Sequence, residues 1–172
     1  MNGLKTETTK QKGFTIIEVV LVLAIAGLIF LMVFIALPAL QRNQRDTQRK
    51  NDMGRLQTAI VSYTSSNRGA LPTSGTLNTS FVTSYLTTGG DDFIDPSGAS
   101  SAQGSGVTSY VFTNRDVSAG DLTTSFADSQ NIIYSTRSAT CGNAGGSVAA
   151  AGSRKIAFRI ALEGGGYYCV NN

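Results

Sequence analysis

Between Phe14 and Leu40 the only ionisable side chain is Glu18. A charge at mid-membrane costs on the order of 3 kcal/mol, less near the end of a span. A carboxylate in such a run is expected to have a partner, so its chemistry is charge pairing. Three other groups of residues could do chemistry. Cys141 and Cys169 are the only cysteines, too few and too far apart for a thiolate zinc site; a structural disulfide fits them better, and it implies an oxidising location. Asp91, Asp92 and Asp95 could ligate calcium through carboxylate oxygens, or be a solvated turn. Arg42, Arg45, Arg49 and Lys50 could contact a phosphate backbone, although no aromatic platform is interleaved with them. There is no His, which removes His-based catalysis and His metal ligands. No nucleophile–base pair is visible and no cofactor motif is found, so an enzyme is not expected.

The apolar run needs a membrane or a neighbour. Roughly 20 apolar residues cross a bilayer core, and residues 14–40 suffice. The segment before them is short and basic, with Lys5, Lys10 and Lys12 against Glu7. A secretory signal would be cut after the apolar region, at small residues. That end is crowded by Leu and Pro38, so the choice lies between a plain anchor and a cut ahead of the run, at Gly13–Phe14. Charge does not orient the span, because residues 42–55 beyond it are as basic as the leader. The cysteines do, since a disulfide is more useful outside.

The 172 residues leave room for one modest globular domain after the span. Met53, Leu56, Ile60 and Tyr63 recur at helical spacing. One helix is expected from Phe14 to Ser66, about 80 Å at 1.5 Å per residue, ended by Gly69 and Pro72. Its middle, QRNQRDTQRKND, has no apolar face and is expected to project, with only the last turns packed. Residues 73–106 are Ser-, Thr- and Gly-rich, with a short apolar piece at Phe81–Leu86. Asp95-Pro96-Ser97-Gly98 fits a type I turn. Strands are expected at Ser109–Thr113, Asn131–Thr136 and Lys155–Glu163, and Tyr167–Val170 returns after a Gly164–Gly166 turn. In the third, Ile156, Phe158, Ile160 and Leu162 share one face, to be laid on the Met53–Tyr63 stripe. Ala157, Arg159, Ala161 and Glu163 share the other. The glycine run opens no helix, so it is not a phosphate loop.

The segment KGFTIIE, Lys12 to Glu18, resembles the processing site of type IV pilins and pseudopilins. A basic leader, Gly13, Phe14, Glu18 fifth after the cut, and an apolar helix all match. The resemblance covers leader and helix closely, and the rest in outline. It implies that a prepilin peptidase cuts between Gly13 and Phe14, and that the new amine of Phe14 is N-methylated. It implies that Glu18 meets the N-terminal amine of a neighbouring subunit during assembly. It also implies loss of helicity near Gly27 and Pro38 in a filament, although Pro38 stands later than the familiar position and an ordinary membrane Pro kink is the alternative. The Cys141–Cys169 region resembles the C-terminal disulfide region of pilins, while FIDPSG is similar to the D-P-x-G turn of pseudopilins.

The expected fold is α+β, a long N-terminal helix, half transmembrane and half amphipathic, on a C-terminal antiparallel sheet. The expected parts are a leader (1–13), a transmembrane and filament-core helix (14–40), a helical stem (41–68) and a β-sheet head (69–172). The expected function is a pilin of a surface filament for adhesion, twitching motility or DNA uptake. The alternatives are a pseudopilin of a type II-like secretion system and a minor pilin that binds DNA. The partners implied are further copies of the chain, the prepilin peptidase, the pilus assembly platform and the inner membrane, with nucleic acid the least expected. The head would be exported from the cytoplasmic membrane and then carried on an extracellular pilus.

Overall fold

The structure, a computed structural model, describes residues 13–88, 90, 92–97, 110–114, 131–143 and 146–172. Most of the leader, Asp91, Gly98 and Ser109 fall outside the described residues. Helix α1 spans Ile16–Ser66 and passes through Gly27 and Pro38 without a break in assignment. The chain divides into two compact units, residues 1–40 and 41–172.

In the first unit no residue from Phe14 to Leu40 is buried. Phe14, Phe30, Phe34 and Ile35 are among the large apolar side chains left exposed. This is the one helix, among the described residues, long and apolar enough to cross a membrane. A backbone with every donor satisfied internally and an apolar surface all round is what hydrocarbon requires.

The second unit is built on residues 41–66 of α1. Met53, Leu56 and Ile60 are fully buried there, as their helical spacing requires. The α1 end is closed by two left-handed residues, Arg68 (φ 55°) and Gly69 (φ 80°). Gly69 N–H donates to Thr64 O at 2.7 Å, the wide closure of a Schellman motif. A short α-turn α2, Ser74–Thr76, follows, capped by the Thr73 hydroxyl, and runs on as a π-helix, Leu77–Leu86. The sequence explains the wider winding. Leu77, Phe81, Val82 and Leu86 are the buried residues. At 3.6 residues per turn, Leu77 and Leu86 would lie about two and a half turns apart, on opposite faces. Hydrogen bonds from i to i+5 widen the turn and bring both to the core.

Four strands form the main sheet in the order β1-β2-β5-β6: β1 Val111–Asn114, β2 Ile132–Arg137, β5 Ile156–Ala161 and β6 Tyr167–Asn171. β2, β5 and β6 pair antiparallel, whereas β1 lies parallel to β2, so the sheet is antiparallel-rich rather than wholly antiparallel. A β-hairpin pairs β3 Ala139–Cys141 with β4 Val148–Ala150, inside a Gly- and Ala-rich stretch that carries no strand signal. One face of the sheet, with Phe112, Ile133, Phe158, Ile160 and Val170, joins the core made by α1 and the π-helix.

The opposite face differs from expectation. Ile156 to Ile160 are all buried, Arg159 at 2% exposure included. Arg159 donates to Gly146 O at 3.2 Å and to Thr136 Oγ1 at 2.9 Å. The loop between β3 and β4 therefore covers this face. Gly146 has φ 84°, and a Cβ there would fall 2.4 Å from Tyr167 Cβ, so only glycine fits. The Cys141–Cys169 disulfide ties the hairpin to β6.

That bond closes a loop across a sequence separation of 28, worth about 3–4 kcal/mol in the chain-entropy model. Replacing both cysteines by serine is expected to lower the stability of the head by about 2–4 kcal/mol in denaturant unfolding. An unchanged unfolding midpoint would mean that packing alone holds the hairpin.

Candidate functional site

Two polar arrangements lie at the residues that carry chemistry, one in each unit. At the start of α1, Thr15 N–H and Thr15 Oγ1 each donate to Glu18 Oε2 at 2.9 Å. Glu18 N–H donates back to Thr15 Oγ1 at 3.3 Å. This is a capping box, with Thr15 at the N-cap and Glu18 three residues on. Its signature, T-x-x-E at the head of an apolar run, is written in the sequence but was not read there. Glu18 is therefore hydrogen-bonded within its own chain. Gly13 and Phe14 precede the helix and are exposed. No structural contact distinguishes Gly27 or Pro38 as a weak point.

The second arrangement centres on Arg49, which is fully buried. Its Nε and Nη2 donate to the two oxygens of Asp95 at 2.8 and 3.0 Å. Its Nη1 lies 2.8 Å from Glu163 Oε1 and 3.2 Å from Asp46 Oδ1. Three carboxylates, from α1, the Asp95–Ser97 turn and the β5–β6 connection, thus meet one guanidinium. The carboxylates are themselves held. Asp46 accepts from the N–H groups of Glu163 and Gly164 at 2.8 Å each. Glu163 also accepts from Arg45, and Asp95 accepts from Ser97 N–H at 2.8 Å and from its hydroxyl. A second cluster, Asp52 with Tyr110 and Arg55, lies one turn along α1.

The charge states follow from these contacts. Burial works against the Arg49 cation, but its hydrogen bonds to Asp95 and Glu163 outweigh burial and hold it charged. The hydrogen bond from Arg45 pulls the Glu163 carboxyl down to about 2, with Arg49 adding to it. Burial raises Asp52 above its ordinary value, and burial followed by the nearby Asp52 charge raises Tyr110.

These contacts correct two expectations. The sequence of the polar middle of α1 predicts a projecting stem with no apolar face. Asp46, Arg49 and Asp52 are instead buried, because their partners come from sequence positions up to 118 residues away. Nor do Arg42, Arg45, Arg49 and Lys50 form one exposed stripe for phosphate. Arg42 and Lys50 are exposed, Arg49 is enclosed, and Arg45 is spent on Glu163 at 2.5 Å. Of the calcium candidates, Asp92 is exposed and Asp95 is turned inward with its oxygens taken by Arg49 and Ser97. No cluster of three metal-ligating side chains occurs among the described residues.

Residues 8–34 match the family model of the prokaryotic N-terminal methylation motif. The chain carries the class III signal peptide of type IV pilins and pseudopilins. The match covers residues 8–15 ahead of α1 and the first part of α1, and ends at residue 34. No curated protein and no solved structure matches the chain. The motif and the exposed apolar helix fit a membrane-anchored, pilin-like or pseudopilin protein, and they point to a structural protein rather than an enzyme. A class III leader implies processing by prepilin peptidase and polymerisation.

Two outcomes are expected from the Arg49 cluster. Arg49→Met strands the buried Asp95 without its cation, while Glu163 keeps Arg45, and removing one partner of a buried pair costs about 3–5 kcal/mol; chemical denaturation of the head reads this. Glu163 gives a pH dependence. Its folded value, about 2, lies below the ordinary value of Glu near 4.3, so its contribution is complete above that value and lost as pH falls toward 2. Melting curves from pH 6 to 2 should fall across this window in the wild type and fall less in Glu163→Gln. Equal slopes would remove Glu163 from the acid response.

Proposed function

We propose that the chain is a pilin, a subunit of a type IV pilus that polymerises into a surface filament. The observation that carries this reading is the methylation motif at residues 8–34 leading into a helix whose apolar residues up to Leu40 are all unburied. In this reading prepilin peptidase cuts Gly13–Phe14 at the cytoplasmic face, Phe14 receives the methyl group, and the assembly platform lifts the subunit from the inner membrane. Residues 1–13 are then the leader, 14–40 the filament core, 41–68 the stem and 69–172 the head.

Glu18 has the central role. Before cleavage the nitrogen of Phe14 is an uncharged amide, and Glu18 is bonded to Thr15 within its own helix. Cleavage creates an amine that a neighbour's Glu18 can neutralise, so processing licenses polymerisation. Gly27 and Pro38 weaken the helix, through lost backbone entropy and a lost hydrogen bond, and let the core segment adjust to its neighbours. The pilus would serve adhesion, twitching motility or DNA uptake.

A second reading, a pseudopilin of a type II-like secretion system, is favoured by the Asp95-Pro96-Ser97 turn. The Cys141–Cys169 disulfide favours the pilin.

Glu18→Val is expected to leave membrane-inserted protein at wild-type levels while sheared filaments nearly vanish. Glu18→Asp should be intermediate. Mass spectrometry of the wild-type filament should show a chain beginning at a methylated Phe14. Residues 1–13 retained in the filament, or a normal filament yield from Glu18→Val, would overturn the assignment.

A further inference from the structure

The charges of α1 between Gln41 and Ser66 are sorted by side. Its two acids, Asp46 and Asp52, are buried. Asp46 accepts from the N–H groups of Glu163 and Gly164, and Asp52 accepts from the Tyr110 hydroxyl at 3.0 Å. Arg45, Arg49 and Arg55 are paired with Glu163, Asp95 and Asp52. Arg42 and Lys50 remain. Both are exposed, and neither takes part in a salt bridge among the described residues. Gln44, Gln48 and Asn51 near them are exposed as well. The outer face of this stretch of α1 is basic and amide-rich, because the helix turns both of its own acids inward.

Asp92 is the one exposed acid among the described residues of 41–172, and no salt bridge holds its carboxylate among them. Its backbone is fixed. Arg55 Nη1 donates to Asp92 O at 3.1 Å, and the next residue, Phe93, is fully buried. Asp92 is therefore held near the level of Arg55, which stands beyond Lys50 and Arg42 on α1 by about 8 and 20 Å of helical rise. The free acid and the free cations of this face are displaced along the helix and do not meet within one chain.

We propose that the Arg42–Lys50 face docks a second copy of this chain and receives that copy's Asp92 carboxylate. The inference rests on the polymer reading above and names a surface through which neighbouring subunits join. The two patches differ, so the contact is head to tail. Each copy offers its basic face to one neighbour and its Asp92 to another, the kind of contact that builds an open helical polymer when the rotation does not close. A parallel copy shifted by about 8–20 Å toward the start of α1 brings its Asp92 level with Lys50 or Arg42. The amides around the cations both donate and accept, which suits a protein surface. A membrane surface fits less well. Arg42 and Lys50 stand about 12 Å apart along the helix, more than the Debye length of about 8 Å at physiological salt, so a flat surface across the helix axis engages only one of them strongly. An exposed ion pair is weak by itself, but in a polymer it recurs at every subunit.

The test expresses each variant as the sole copy of the full chain and compares sheared filaments with membrane-bound subunit. Asp92→Lys sets a cation against two others, and since like charges across an interface are strongly unfavourable, filament yield should fall roughly tenfold or more. Arg42→Asp with Lys50→Asp should fall as far. Combining all three substitutions restores opposite charges, and a direct contact then returns the yield to within about twofold of the wild type. Membrane-bound subunit and melting temperature should stay at wild-type values throughout, because all three side chains are exposed. Normal filaments from Asp92→Lys, or no recovery in the triple variant, overturn the contact and leave the polymer reading standing. A loss confined to the Arg42/Lys50 variant means that the basic face meets a different partner, and it overturns the contact too. A wild-type chain that forms no filament overturns the polymer reading and this contact with it.

Discussion

The head depends on one buried cation. Arg49 is fully enclosed, and an ion taken out of water costs several kcal/mol unless its donors are met. Here Asp95, Glu163 and Asp46 meet them. Apolar burial drives the collapse of Met53, Leu56, Phe81 and Phe158 into one core, but such contacts are non-directional. The guanidinium is directional. Its geometry sets where the Asp95 turn and the β5–β6 connection sit on α1, and Asp46 clamps that connection again through two backbone N–H groups. A polar stretch of helix with no apolar stripe is thereby docked.

The two parts of α1 face different demands. Residues 14–40 expose every large apolar side chain, while residues 46–60 bury charged and apolar groups alike. The capping box bears on the energetics of the first part. The first N–H groups of a helix lack partners within it, and Glu18 with Thr15 supplies them reciprocally. Part of the cost of a carboxylate near hydrocarbon is offset by a service that the helix end needs anyway. Glu18 is thus compatible with membrane residence, because it is hydrogen-bonded within its own helix rather than a bare charge.

The rear of the sheet follows a similar logic on a smaller scale. Arg159 would be expected to face water from an alternating strand. The β3–β4 hairpin and its loop cover it, and Gly146 O and Thr136 Oγ1 accept hydrogen bonds from it. The disulfide holds the hairpin to β6. The polar contact and the covalent tie compensate for a face with little apolar area.

What could be read from the sequence is what depends on near neighbours. The apolar run, the Met53–Tyr63 stripe and the alternation of Ile156 to Leu162 are local patterns, and local periodicity decides helix or strand. The capping box at Thr15 and Glu18 is equally local and was legible. The π-helix was harder, since the 4–5 residue steps of Leu77, Phe81, Val82 and Leu86 match neither common period. Tertiary structure alone decided the fate of the charges. Arg45 meets Glu163 across 118 positions and Arg49 meets Asp95 across 46. A charged residue reads the same in sequence whether it ends in water or in a buried pair, because the desolvation that distinguishes the two is set by groups the fold brings from elsewhere.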